Sequence, residues 1–393
     1  MRIAYTTEHE ALRRELRDYF SALMTPERRD LLTNSEDSHG DPATYREVIR
    51  QIGHDGWLGI GWPKEYGGQD RSMLEQAIFL EEAAFAGAPI PLLTIASMGP
   101  TIMQYGSAEQ KDFFLPRILR GELHFAVGYS EPGAGTDLAS LRTRAVRDGD
   151  EWVINGQKMW TSVIESADYV WLAARTDPDV PKHKGLSMFI VPTDAPGFSY
   201  NLVHTLSNQT TSATFYDDVR VPAENLIGGE NSGWRLMTSQ LNHERVAMTS
   251  PANVTNILDD VRRWAQQTEL PDGRRVIDQE WVQINLARVH AKTEFLKLLN
   301  WKIAWGVEKG LSPADASAAK VFGTEFFPEA YRLLMEVLGS GACLRKDSPG
   351  ARLQGRLEVL YRSALVLTFG GGTNEIQREL IAMVGLGMPR APR

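Results

Sequence analysis

Four stretches of the chain combine residue types that can do chemistry. Val127-Gly128-Tyr129-Ser130-Glu131-Pro132-Gly133-Ala134-Gly135-Thr136-Asp137 mixes glycines with the hydroxyls of Ser130 and Thr136. Small residues let backbone N–H groups approach a ligand, so such a loop can cradle a planar heterocycle or a pyrophosphate; an ordinary Gly/Ser turn has the same composition. Asn155-Gly156-Gln157-Lys158-Met159-Trp160-Thr161-Ser162 sets an indole beside hydroxyl residues, either an aromatic face for a flat ring or a core Trp of a β sandwich. Phe369-Gly370-Gly371-Gly372-Thr373-Asn374-Glu375-Ile376-Gln377-Arg378 leads three glycines into a helix start, which suits a phosphate or a developing oxyanion and equally a plain interhelical turn. The fourth is Leu241-Asn242-His243-Glu244-Arg245-Val246. At about 100° per residue, Glu244 falls at the edge of an apolar stripe of Trp234, Met237, Leu241 and Met248. A carboxyl on such a stripe has its pKa raised toward the range of a general base, unless Arg245 or another cation takes it as a structural ion pair.

Other chemistries find no footing. No G-x-G-x-x-G joins a strand to a helix, and Walker and H-E-x-x-H patterns are missing. Gly128-Tyr129-Ser130-Glu131-Pro132 starts like a nucleophile elbow and fails at Pro132, which occupies the second glycine position. Cys343 is the single cysteine, so neither an internal disulfide nor a cysteine zinc site is expected, and the histidines show no metal-ligand spacing. Fifty acids against forty-two bases give a net charge of −8, which argues against nucleic acid as a partner. No apolar run approaches about 18 residues and no signal peptide is visible at Met1-Arg2-Ile3-Ala4-Tyr5, so a cytoplasmic protein with no membrane segment is expected.

The elements that must position these segments fall in the order α, β, α over 393 residues. Thr7-Glu8-His9-Glu10 has capping-box spacing ahead of Leu12, Leu16, Tyr19 and Phe20. Helices are expected over 44–52, 74–86, 93–105 and 108–119, with Pro100 and Pro116 as potential breaks. Short β-branched and aromatic runs follow at 124–130, 145–146, 152–154, 169–174, 186–191 and 213–216, with Asp148-Gly149 as a hairpin signal. Helices return at about 232–266, 278–309, 312–338 and 355–384. The lack of βαβ alternation makes a Rossmann or barrel fold unlikely.

Taken together, four motifs in this order resemble the acyl-CoA dehydrogenase family: Gly-Tyr-Ser-Glu-Pro-Gly-Ala-Gly-Thr-Asp at 128–137, Asn-Gly-Gln-Lys-Met-Trp at 155–160, Val-Arg-Val-Pro-Ala-Glu-Asn at 219–225 and Gly-Gly-Gly-Thr-Asn-Glu-Ile-Gln-Arg at 370–378. The resemblance implies an α+β, mainly α fold with an N-terminal helical domain (1–120), a middle β-sandwich or barrel domain (121–230) and a C-terminal four-helix bundle (231–393). It implies FAD, an acyl-CoA substrate and an electron-transfer flavoprotein as acceptor. By matching position, Val127, Tyr129, Ser130, Gly135 and Thr136 would line the flavin, Trp160 and Ser162 its other side, and Thr373 and Glu375 would reach it from the C-terminal part. Tyr129 stands where the family usually has an aliphatic residue.

The family removes an α proton as H⁺ and a β hydrogen as hydride. Many members keep the base just before the Gly-Thr of the last motif, where this chain has Gly371, which cannot take a proton. Other branches place it at the position of Glu244. The oxyanion donor of the family is a backbone N–H that Gly371 retains, while Asn242, Arg245 and Thr136 match positions near the substrate. Where homotetrameric members send an Arg, a Phe and a Gln to a neighbour's FAD, this chain has Glu269, Asp272 and Glu336. The resemblance is therefore nearest the base-bearing subunit of the actinobacterial heterotetrameric (α2β2) dehydrogenases of steroid side-chain degradation, which implies a cholesterol-derived CoA ester and a second, unlike subunit. A steroid would need a wide apolar pocket, for which Pro89, Pro91, Leu92 and Leu93 beside Ala86, Gly87 and Ala88 are the candidate lining. A straight- or branched-chain fatty acyl-CoA, an oxidase or a non-catalytic partner subunit are the competing readings.

Overall fold

The first helix starts one residue earlier than its capping spacing predicts. The Thr6 hydroxyl accepts the His9 N–H at 3.3 Å and the Thr6 carbonyl that of Glu10 at 3.0 Å, so Thr6 rather than Thr7 caps α1 (Thr7–Leu23). The computed structural model describes residues 4–34, 40–207, 209–247, 249–307 and 312–390; the side chains of 33–34, 241–248, 307 and 313 are outside that description. α2 (Pro26–Asn34), α3 (Pro42–His54) and α4 (Met73–Ala86) follow. A π-helical turn at Thr94–Met98 leads into α5 (Gly99–Tyr105), whose first turn accommodates Pro100, and α6 (Ala108–Leu119) keeps Pro116 near its end.

The β region is one eight-stranded sheet: β1 (Phe125–Gly128), β2 (Arg144–Asp148), β3 (Glu151–Met159), β4 (Tyr169–Arg175), β5 (Leu186–Pro192), β6 (Phe198–His204), β7 (Thr210–Pro222) and β8 (Leu226–Ile227). The order is β6-β7-β3-β2-β4-β5-β8, with β1 parallel to β4. Asp148-Gly149 does turn a hairpin, β2 onto β3, with Gly149 at φ +63°. Alternate side chains Trp152, Ile154, Val170, Leu172, Phe189, Val191, Val219 and Val221 form its core.

The helix expected over 232–266 is two, α7 (Gly233–Ala247) and α8 (Ala252–Gln267). Pro251 separates them, because a proline disfavours helical backbone in the residue before it and offers no N–H of its own. α9 (Glu280–Val307) and α10 (Pro313–Leu338) are the long helices. The helix expected over 355–384 is interrupted: α11 (Arg356–Ala364), a 3-10 turn at Leu365–Thr368, the glycine loop, α12 (Asn374–Leu380) and a π-helical turn at Ile381–Gly385. Consecutive positive φ at Gly371 (+68°) and Gly372 (+99°) breaks the periodicity.

The chain divides into two compact units. One holds Met1–Phe20, Met73–Gly87 and Arg245–Arg393; its core joins Val254, Ile257 and Val261 of α8, Val282, Val289 and Leu296 of α9, and Phe326, Phe327 and Leu334 of α10. The other holds Ser21–Ser72 and Ala88–Glu244 and contains the sheet.

Candidate active site

In the sheet-containing unit, β1 runs buried beside β4 and ends at Gly128, where a Cβ would come within 2.9 Å of Val170 Cγ1. A side chain there would push β1 off the sheet, so the glycine sets where the next loop begins. That loop is held from beneath by a buried ion pair. Lys158, with no exposed surface, donates from Nζ to the Tyr129 carbonyl at 3.0 Å and to Glu131 Oε1 at 2.8 Å. The Glu131 carboxylate also accepts the backbone N–H groups of Arg142 (2.7 Å) and Thr143 (2.8 Å). Burial pushes the Lys158 ammonium down to about 8 against the pull of Glu131. Burial works to raise Glu131, but Lys158 and the Thr143 N–H outweigh it and hold the carboxyl below its ordinary range. Both groups are thus charged at neutral pH.

Above this clamp the loop turns tightly, Glu131 and Ala134 exchanging backbone hydrogen bonds at 2.9 and 3.1 Å. Nothing lies within 4 Å of a Cβ built on Gly133 or Gly135. Thr136 is exposed, and Val127 and Ser130 are half-buried. Tyr129 points inward, and its phenol donates to Gln240 Oε1 at 2.5 Å. Gln240 is 2% exposed, and its Nε2 has no hydrogen-bond partner among the described residues.

Trp160 corrects the core reading of its segment. It is 57% exposed and sits at φ +68°, a conformation costly for a bulky residue, while Trp152 and Trp171 are the buried indoles on the strands of the sheet. Ser162 is exposed, with its Oγ 3.0 Å from Thr211 Oγ1.

Leu241, Asn242, Glu244 and Arg245 lie on α7; their side chains, and Met248, fall outside the described residues. The buried face of that helix is described up to Gln240: Gly233, Leu236, Met237 and Gln240. Glu244 stands four positions beyond Gln240 and seven beyond Met237, the spacing of one helix face.

In the other unit, Thr373 caps α12 by accepting the Ile376 N–H at 3.3 Å, and Glu375 is exposed in its first turn. Gly372 leaves room for Gln377, whose Nε2 would lie 2.8 Å from a Cβ there. Asp272 is gripped by Arg274 at 2.7 Å, and Glu336 accepts from Asn285 at 3.1 Å and pairs with Arg332. Glu269 lies opposite Arg275 in an isolated antiparallel backbone β-bridge. α9 exposes Trp281, Ile284, Phe295, Leu298 and Trp305 along one stripe.

Of the residues that hold these loops, Glu131 and Lys158 stand inside the quoted motifs, which give them no role, and Gln240 and Lys320 lie outside any motif. The signal available was positional: Lys158 shares the inward parity of Trp152 and Ile154, and Lys320 stands on the small-residue face of Ala316 and Thr324.

Family models of the acyl-CoA dehydrogenase N-terminal, middle and C-terminal domains match residues 6–122, 126–219 and 231–386. The chain belongs to the acyl-CoA dehydrogenase family. It is 63% identical to the acyl-CoA dehydrogenase FadE26 of Mycobacterium tuberculosis over the whole of both chains. Among solved structures, it covers all of a chain in the ChsE4-ChsE5 complex of M. tuberculosis at 64% identity and a TM-score of 0.93. It likewise covers all of a chain of the Tcur3481-Tcur3483 steroid ACAD, at 48% identity and a TM-score of 0.93. The helical, β and helical regions read from the sequence are those of this family, and the chain is an acyl-CoA dehydrogenase by that membership. No described helix of this acyl-CoA dehydrogenase is long and apolar enough to cross a membrane.

Proposed function

We propose that this acyl-CoA dehydrogenase is the base-bearing subunit of an FAD-dependent heteromeric enzyme that desaturates a steroid side-chain CoA ester at Cα–Cβ. The observation that carries this assignment is the pairing of Gly371, which has no acid side chain, with Glu244 on the helix face continued from Met237 and Gln240.

The residues present fit a flavin. The open space over Gly133 and Gly135, the exposed Trp160 and the Gln240 Nε2, which has no partner among the described residues, suit a flat ring bearing hydrogen-bond acceptors. Val127, Tyr129, Ser130, Gly135, Thr136, Trp160, Ser162, Thr373 and Glu375 would hold FAD, which when bound supplies the hydride acceptor. Glu244 takes the α proton. The Gly371 N–H stabilises the negative charge that develops on the thioester carbonyl; such a donor is worth roughly 3 kcal/mol of barrier. Asn242, Arg245 and Thr136 position the acyl-CoA, and electrons leave to an electron-transfer flavoprotein.

Three features support an unlike partner. Asp272 and Glu336 bring carboxylates to positions that serve a neighbour's FAD in homotetramers, and both are occupied by groups of this chain. The α9 stripe exposes five large apolar side chains, more than an isolated helix face leaves to water. Two similar solved structures are a ChsE4-ChsE5 complex and a Tcur3481-Tcur3483 steroid ACAD. The name of the second, a steroid ACAD at 48% identity, supports a steroid substrate class.

Co-expression with a second acyl-CoA dehydrogenase-like chain tests the assignment. An α2β2 complex with two FAD that prefers a steroid-CoA to a fatty acyl-CoA is expected. A homotetramer of this chain alone with four FAD would contradict it.

A further inference from the structure

Lys320 has no exposed surface and lies on α10 among small or short residues, Ala316, Ala319, Gly323 and Thr324. Its Nζ donates to the Gly372 carbonyl at 2.8 Å and to Asn374 Oδ1 at 2.7 Å. Asn374 is itself fixed, its Nδ2 donating to Thr324 Oγ1 and to Glu325 Oε1, each at 3.1 Å. Glu325 in turn accepts both hydrogen bonds of Arg378, at 2.7 and 2.8 Å. The ammonium is thus the end of a relay that terminates on the backbone of the glycine loop. Beside it, Gln377 accepts from Ser317 at 2.9 Å, and its Nε2 has no partner among the described residues.

Gly371 and Gly372, at φ +68° and +99°, have no side chains to hold them in place, and glycine moves between conformations at little cost. A loop of this composition keeps one conformation only if its carbonyls are tied. Burying an ammonium is expensive, and an apolar side chain of the same length would fill the same volume without that cost. A charged donor to a carbonyl is roughly twice as strong as a neutral one, and it also places positive charge one residue from the Gly371 N–H.

We propose that Lys320 is a positioning residue for the oxyanion contact: its ammonium pins the Gly372 carbonyl and so fixes the Gly371 N–H where the thioester carbonyl gains negative charge. The inference rests on the assignment of that N–H made above.

The test is Lys320→Met and Lys320→Arg in the FAD-loaded complex, read in two ways. Turnover per bound flavin should fall about 30- to 100-fold in Lys320→Met with KM within about threefold, the scale of a small misplacement of a catalytic group. A 3-thiaacyl-CoA, whose α-CH ionises in the site, should show a bound pKa raised by about one to two units, corresponding to about 10- to 100-fold weaker enolate stabilisation. Lys320→Arg should recover most of both. A purely structural lysine would lower thermal stability or flavin content and leave turnover per flavin and the analogue's pKa at wild-type values, and that result overturns the proposal. If Lys320→Met does not fold, Asn374→Leu decides: it should lower turnover per flavin at least about tenfold, and an unchanged value refutes the proposal. A wild-type complex that binds FAD but does not ionise the analogue overturns the Gly371 assignment itself and, with it, this inference.

Discussion

The Tyr129 phenol and the Gln240 amide meet at 2.5 Å and join the loop after β1 to the helix that bears Glu244. Both side chains are buried, so the bond is made away from water, and the aromatic residue that departs from the family's aliphatic pattern has a partner in this chain. Tyr129→Phe leaves Gln240 Oε1 without this donor beside an Nε2 that has no partner among the described residues, and should cost about 1–3 kcal/mol in urea unfolding. Gln240→Met added to it should cost less than the sum of the two single changes, because the second mutation removes the stranded amide. Strict additivity would mean that the contact contributes nothing.

Lys158, on β3, should be the least replaceable support of the loop after β1. Lys158→Met leaves the partly buried Glu131 carboxylate with only the Arg142 and Thr143 donors, and breaking such a pair costs up to about 3–5 kcal/mol. Purified protein should also retain little flavin, measured as the ratio of absorbance at 450 nm to that at 280 nm, because the Tyr129 carbonyl loses its anchor.

Trp160 offers a test with opposite signs. A core tryptophan replaced by a small residue costs about 3–5 kcal/mol. Trp160 is exposed and at positive φ, so Trp160→Gly should leave unfolding free energy unchanged or raise it by up to about 1 kcal/mol while weakening flavin retention. Destabilisation on the core scale would remove the indole from the list of ligand-facing groups.

His124 predicts the acid limb of stability. It is 4% exposed with neither ring nitrogen hydrogen-bonded among the described residues. Burial, helped by the Arg46 charge and opposed by Asp168, depresses its pKa from 6.5 to about 4. Between those values the unfolded chain binds a proton that the folded chain does not, so stability falls as pH drops from 6.5 toward 4, by up to about 3 kcal/mol, and His124 adds no slope above 6.5. His124→Phe should flatten that limb in urea titrations at pH 4.5 and 7.

Much of the fold was legible because it follows periodicity. α9 and α10 lie within two residues of their expected bounds, and the strands of the sheet core fall on the β-branched runs. Where the pattern misled, a local rule prevailed over periodicity: Pro251 divides α7 from α8, and the positive φ of Gly371 and Gly372 interrupts the last helix. The edge strand β6 stays largely exposed, so only the alternation of Phe198, Tyr200 and Leu202 marks it. The glycine-rich segments could be found from composition, but the groups that hold them could not. Lys158 meets Glu131 across 27 residues and Lys320 meets Asn374 across 54, and a charged residue's burial depends on such distant partners.

In the proposed reaction Glu244 removes the α proton. The direct measurement is turnover of Glu244→Gln in the FAD-loaded complex with its acyl-CoA, with flavin content determined on the same sample. Unchanged flavin content with turnover lowered about 10²- to 10⁴-fold, the contribution of a general base, is the expected result. Turnover within about tenfold of wild type would return Glu244 to a structural ion pair and require the base to lie elsewhere.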